Sequence, residues 1–275
     1  MYIGGAFVRS ESGRTMAHRC GEEVLHVARA SRKDVRDAVR AARTAWNGWR
    51  ARTAYNRGQI VYRLAEIMES RRAQFERALA LHGAPAAAAR EVDAAIDRVA
   101  WYAGWCDKIE QWLSTKNPVG SPHFNVSSPE PMGVVGIVAP DGPALLGLVS
   151  LLLPALCGSN VAVVVASQRD PITAVALAEA LANSDLPAGV ANILTGYRDE
   201  LVAPLARHME VNALDLCMRD ETVAAQAAEL ACESVKRVRR RIEPAPAFWY
   251  REAAQSPRWI EKFMEIKTVW HPAGA

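Results

Sequence analysis

The side chains best suited to nucleophilic or metal chemistry in this 275-residue chain are its five cysteines, Cys20, Cys106, Cys157, Cys217 and Cys232, and its six histidines. A catalytic thiol needs a neighbouring base or helix N-terminus, and a zinc site needs ligands at short, repeated spacings. Neither residue type is spaced that way, so they supply no catalytic residue and no metal ligand. Scattered and odd in number, the cysteines fit reduced thiols buried in the core of a cytoplasmic protein. Lys236-Arg237-Val238-Arg239-Arg240-Arg241 is the densest run of one charge. A lone basic run in a chain of net charge +3 does not make a nucleic-acid site. It suits a strand whose flank faces solvent or another chain.

The elements that would position these residues begin with Ser31 and Asp34, a capping box at the start of a helix. Val35, Val39, Ala42 and Trp46 fall on its apolar stripe, and Asn47-Gly48 is its expected stop. A second stripe runs through Ile60, Leu64, Ile67, Phe75 and Leu79 to His82-Gly83, with glycine at the left-handed cap. The third runs through Val92, Ile96, Val99, Ala103, Cys106 and Leu113. Trp101, Trp105 and Trp112 lie along it, mostly as core.

From Asn117 the pattern changes. His123 to Ser128 and Met132 to Gly136 are extended segments flanking Ser-Pro-Glu-Pro, as in a hairpin or projecting ribbon. Strands at 134–139, 161–165, 191–194, 213–216 and 235–242 then alternate with helices, one at 144–156 and another opened by Pro171. Apolar strands without polar alternation are covered on both faces. The fold class is therefore α/β, a Rossmann-type parallel sheet with helices on both faces, preceded by long N-terminal helices. Glu243-Pro244-Ala245-Pro246-Ala247 reads as a stiff, extended linker, followed by a short helix over 257–265 and a final strand over 266–271. No basic-then-apolar leader opens the chain. The most apolar region, 133–166, is broken by Asp141, Pro143, Pro154 and Gly158-Ser159-Asn160, leaving pieces too short to cross a bilayer.

Several stretches resemble the NAD(P)-dependent aldehyde dehydrogenases. Tyr2-Ile3-Gly4-Gly5 with Ser12-Gly13 is similar to the family's opening hairpin, and 34–49 to its first helix. Glu130-Pro131-Met132-Gly133-Val134-Val135-Gly136 resembles its entry into the coenzyme domain. Leu153-Pro154-Ala155-Leu156, Gly158-Ser159-Asn160 and the run from Leu186 to Leu194 are closer still. Lys267-Thr268-Val269-Trp270-His271-Pro272 resembles the family's closing strand. The domain between these ends, which carries the family's nucleophilic cysteine, has no counterpart here. The resemblance implies an N-terminal helical part over 1–116, an oligomerisation hairpin over 117–132 and a coenzyme-like domain over 133–243. A linker and short helix over 244–265 then replace the catalytic domain, and an oligomerisation strand over 266–275 completes a small antiparallel sheet with the hairpin.

Position by position, the resemblance implies degenerate chemistry. The family's oxyanion-holding asparagine is Gly142, which has no side-chain donor. The lysine and glutamate that contact the coenzyme ribose are Val165 and Gln168. At the turn and helix start that receive the pyrophosphate, Met218, Arg219 and Val223 stand at degenerate positions. There Asp220 is placed to cap the free amides and Glu221 adds negative charge, which opposes phosphate. The general-base position is Arg241, which stays protonated. Glu243 shares its strand face but has no nucleophile to serve.

The expected function is a non-catalytic subunit that assembles with a full-length aldehyde dehydrogenase, holds no cofactor itself and leaves NAD or NADP to its partner. Its docking edge is His123, Phe124, Val126, Met132, Thr268, Val269, Trp270 and His271, by strand addition. His123 and His271 could make that assembly sensitive to pH. A nucleotide- or small-molecule-binding sensor and an enzyme with relocated chemistry are the two competing readings. Neither nucleic acid nor membrane is an expected partner.

Overall fold

The computed structural model describes residues 1–20 and 23–273. Two hairpins open the chain: Tyr2–Ile3 (β1) with Ala6–Phe7 (β2), and Thr15–Cys20 (β3) with Glu23–Ala28 (β4). Gly5, at φ 86°, admits no side chain, because a Cβ there would lie 2.6 Å from the Cβ of Ala188. No alternating pattern in the sequence marks the second hairpin.

Helix α1 spans Arg32–Arg50, and its capping box forms: Ser31 Oγ accepts from the Asp34 amide while the Asp34 carboxylate accepts from that of Ser31. It runs through the expected stop at Asn47-Gly48. Trp49, fully buried, donates its indole N–H to the Leu156 carbonyl at 3.2 Å, and that core contact outweighs the glycine penalty. The second stripe divides at Arg71 into α2 (Ala54–Ser70) and α3 (Arg72–Ala80). The glycine cap expected at Gly83 does not form, since α3 ends on Leu81 in right-handed geometry. The third stripe likewise divides, into α4 (Pro85–Ala103) and α5 (Ile109–Leu113).

Strands β5 (Thr115–Asn117) and β6 (His123–Pro131) form the actual ribbon. The expected pairing of 123–128 with 132–136 does not occur. β6 instead continues through Pro129 and Pro131, beyond the end of β5, where it has a partner on one side only and the missing amide hydrogens do no harm.

The alternating part is β7 (Val134–Val138), α6 (Ala144–Cys157), β8 (Val161–Val165), α7 (Pro171–Asn183), β9 (Ala191–Leu194), α8 (Arg198–Arg207), β10 (Ala213–Met218), α9 (Glu221–Cys232) and β11 (Arg237–Ile242). The sheet order is β11-β10-β7-β8-β9-β1-β2, with β11 to β9 parallel and β1 antiparallel to β9. Strand order therefore reverses between β7 and β10, which places a crevice at their carboxyl ends. Every residue of α6 is buried.

The segment after β11 is not an extended linker. Two 3-10 turns, Pro246–Tyr250 and Glu252–Ala254, lead to α10 (Pro257–Glu261) and β12 (Met264–Pro272). Trp249, Ile260 and Phe263 are buried against the core. The reason is a buried cation: Arg98 on α4 donates to the carbonyls of Trp249 and Ala254, to Gln255 Oε1 and to Ser150 Oγ. β12 pairs with β6 along its whole length, giving a separate sheet in the order β12-β6-β5.

Candidate functional site

At the carboxyl ends of β7 and β8 the polar groups satisfy one another. Arg198, the first residue of α8, donates to Asp141 Oδ2 at 2.9 Å and to the Ala139 carbonyl. Ser167 donates to Asp141 Oδ1 at 3.2 Å, and Gln168 Oε1 accepts from the Arg198 amide at 3.2 Å. The Arg198 and Asp141 side chains are only 11% and 17% exposed, so this latch is desolvated and holds the strand ends together. Gly142 stands beside it with open space around it, and Val165 is fully buried in β8. Sequence reasoning missed Arg198, for no local pattern points across four elements.

Across the crevice, Asp220 Oδ1 accepts from the amides of Thr222 and Val223 at 2.9 and 3.0 Å. The α9 N-terminus is thus capped from within, as its sequence implied. Met218 is buried at the end of β10, and the exposed Arg219 reaches towards Glu243, whose enclosed carboxylate lies 3.5 Å away. Neither Glu243 oxygen has a hydrogen-bond partner among the described residues. Arg241 makes a two-pronged bond to the fully buried Asp215, at 2.9 and 2.7 Å. Burial, with neighbouring Arg241 adding to it, pushes the Arg239 guanidinium down to about 10. About 170 Å³ remains open beside β10 and β11, lined by Met218, Glu221, Arg240, Arg241 and Ile242.

The second candidate surface is the sheet of β12, β6 and β5. Phe124, Val126, Val269 and His271 share one face, and Thr268 and Trp270 the other, with His123 6.0 Å from the Trp270 ring. Phe124, Val126, Ile266, Val269 and Trp270 are all exposed. Among the described residues β12 has a partner on one side only, so its outer edge presents free backbone groups. Met132 departs from expectation: it lies outside β6, half-buried, with its amide donating to Phe263.

Residues 7–240 match the Aldehyde dehydrogenase family. The chain belongs to that family. It is 32% identical over 221 residues to Aldehyde dehydrogenase, cytosolic 1 of Elephantulus edwardii, covering 77% of this chain and 44% of that relative. To Retinal dehydrogenase 2 of Homo sapiens it is 32% identical over 223 residues, 78% of this chain and 42% of the relative. An NAD+ complex structure of aldehyde dehydrogenase from Bacillus cereus superposes with a TM-score of 0.82 at 26% identity, covering 86% of this chain and 49% of that one. The chain therefore spans about half the length of the relatives it matches. The family match stops short of β12, which pairs with β6 along its length and whose Met264 is buried against the core.

In this aldehyde dehydrogenase family chain the thiols divide unevenly. Cys20, Cys106, Cys157 and Cys217 are buried, but Cys232 is exposed, contrary to the expectation of five core thiols. Burial pushes Cys217 up to about 12, so the thiol at the crevice stays protonated. No described helix is long and apolar enough to cross a membrane. The fold also unites residues that sequence spacing kept apart: His18, Cys20 and His82 bring their ligand atoms within 4.8 Å of one another.

Proposed function

We propose that this chain is a non-catalytic aldehyde dehydrogenase-like subunit that assembles with a full-length NAD(P)-dependent aldehyde dehydrogenase and stabilises or regulates it. The observation that carries the reading is β12. Among the described residues this nine-residue strand has one unpaired edge, with Val269 exposed on the face of Phe124 and Val126 and with Ile266 and Trp270 exposed on the other. Such an edge adds to a neighbour's sheet through main-chain bonds, and alternate side chains select the partner.

The crevice supports the non-catalytic half of the reading. A dinucleotide needs free amides at a helix start, but the α9 amides are taken by Asp220. Arg198 and Asp141 close the neighbouring strand ends on each other. The space beside β10 and β11, about 170 Å³, is below the roughly 300–1,000 Å³ typical of small-molecule sites, while the cleft of about 350 Å³ beside Asp141 and Gly142 lies at the lower end of that range. The residues present do not fit a dinucleotide in the family manner, and burial holds the Cys157 and Cys217 thiols above their usual range, away from the ionised state a nucleophile requires. Arg241, at the position the resemblance marks for a base, is committed to Asp215. Cysteine, coenzyme and turnover then come from the partner.

Isothermal titration of the purified chain with NAD and NADP tests the crevice, and an aldehyde oxidation assay of the chain alone and mixed with a full-length dehydrogenase tests the role. No coenzyme heat and a gain in activity or stability only on mixing are expected. Micromolar coenzyme binding would favour a sensor, and oxidation by the chain alone would refute the proposal.

A further inference from the structure

Among the described residues, one place gathers three metal-ligating side chains. Strand β3 alternates in burial, so His18 and Cys20, two residues apart, point inward together. His82 follows α3 in the turn before α4 and meets them from the helical layer. His18 Nε2 and His82 Nε2 lie 2.8 Å apart, their rings 4.7 Å between centroids at 67°. Cys20 is 7% exposed and His18 9%, whereas His82 is open to solvent.

We propose that His18, Cys20 and His82 bind a borderline divalent cation, with zinc the best match, and leave the fourth position to water or a small ligand. The donor set is the reason. Two imidazoles and a thiolate suit zinc and cobalt and are poor ligands for calcium or magnesium. Zinc takes nitrogen at about 2.0–2.1 Å and sulfur at about 2.3 Å, which spaces tetrahedral ligand atoms by roughly 3.3–3.6 Å. The two imidazole nitrogens must part by about half an ångström and the sulfur, within 4.8 Å of them, must close by at most about one, which side-chain rotation supplies.

The charge environment agrees. The carboxylates of Asp170 and Glu23 lie near Cys20. A dication offsets that local negative charge. On binding, the Cys20 S–H is replaced by a metal–sulfur bond and its proton goes to solvent. His82 and Asp170 also line a cleft of about 350 Å³, which leaves space for the fourth ligand. The ion would fasten the β3–β4 hairpin to the α3–α4 turn across 62 to 64 residues of chain, a constraint independent of the docking edge and of any partner.

The test is titration of the chelator-treated, reduced full chain with cobalt(II), followed by absorbance, with zinc as competitor. One equivalent should give a thiolate-to-cobalt charge-transfer band with tetrahedral d–d bands, and zinc should displace cobalt and raise Tm. Cys20→Ser should abolish the charge-transfer band, and Cys232→Ser should leave it unchanged. His82→Gln, at an exposed position, should weaken cobalt at least about tenfold. Lack of the band in the wild-type chain, its survival in Cys20→Ser, or unchanged affinity in His82→Gln would overturn the assignment.

Discussion

The guanidinium of Arg241 lies 4.0 Å above the ring of Trp259 while its nitrogens hold both oxygens of Asp215. One residue thereby joins the last strand of the parallel sheet to the segment that follows it. Arg239 stacks on the same ring at 4.8 Å, so Trp259 covers one side of the basic run. Most of the positive charge that looks like a nucleic-acid patch in the sequence is structural.

Replacing Arg241 with methionine leaves Asp215 buried without its hydrogen-bonded counter-charge. Such a loss costs about 3–5 kcal/mol, while replacing both members with apolar residues is often close to neutral. Urea unfolding of Arg241→Met, of Asp215→Leu and of the double variant should show two damaged single variants and a largely rescued double.

Arg98 has a similar role further along the segment. Its four acceptors include the buried Trp249 and Ala254 carbonyls. Arg98→Met should cost roughly 2–4 kcal/mol through those orphaned acceptors. Limited proteolysis should then cut first between 244 and 263, and Trp249 fluorescence should shift red.

Much of this architecture is legible in the amino-acid pattern, because strands such as Val161–Val165 are unbroken apolar runs with turn signals at both ends. Caps are legible too: Ser31 and Asp220 both act as their local chemistry requires. Failures arise where a distant partner decides. Trp49 carries α1 through a glycine because Leu156, more than a hundred residues away, offers a carbonyl. The two prolines before Phe248 suggest extension, yet buried aromatics and Arg98 coil that segment onto the core. The β3–β4 hairpin, the Arg198 latch and the His18, Cys20, His82 cluster depend on contacts that no spacing rule contains.

Glu91 supplies a pH signature. Burial raises its carboxyl above the ordinary 4.5, although the Leu145 and Leu146 amides at the start of α6 partly oppose the shift. A raised folded-state value means the folded protein binds the proton more tightly than the unfolded chain. That contribution is full below about pH 4.5 and is lost as pH rises through the folded value. Glu91→Gln removes it, so the stability of the wild-type chain relative to this variant should fall as pH is raised from 4.5 towards neutrality. Paired urea titrations across that range provide the check.

The docking edge makes a prediction with a built-in control. Trp270 is 58% exposed and Val269 48%, so Trp270→Ser and Val269→Lys should change the chain's own unfolding by no more than about 0.5 kcal/mol. Capture of a full-length aldehyde dehydrogenase should nonetheless fall at least about tenfold, since exposed aromatics at an interface centre dominate its energy.

The most direct test is native mass spectrometry of this chain mixed with a full-length aldehyde dehydrogenase from the same host, across a range of ratios. A species containing both polypeptides, diminished by Trp270→Ser, is the predicted result. Two populations that never combine at any ratio would contradict the account.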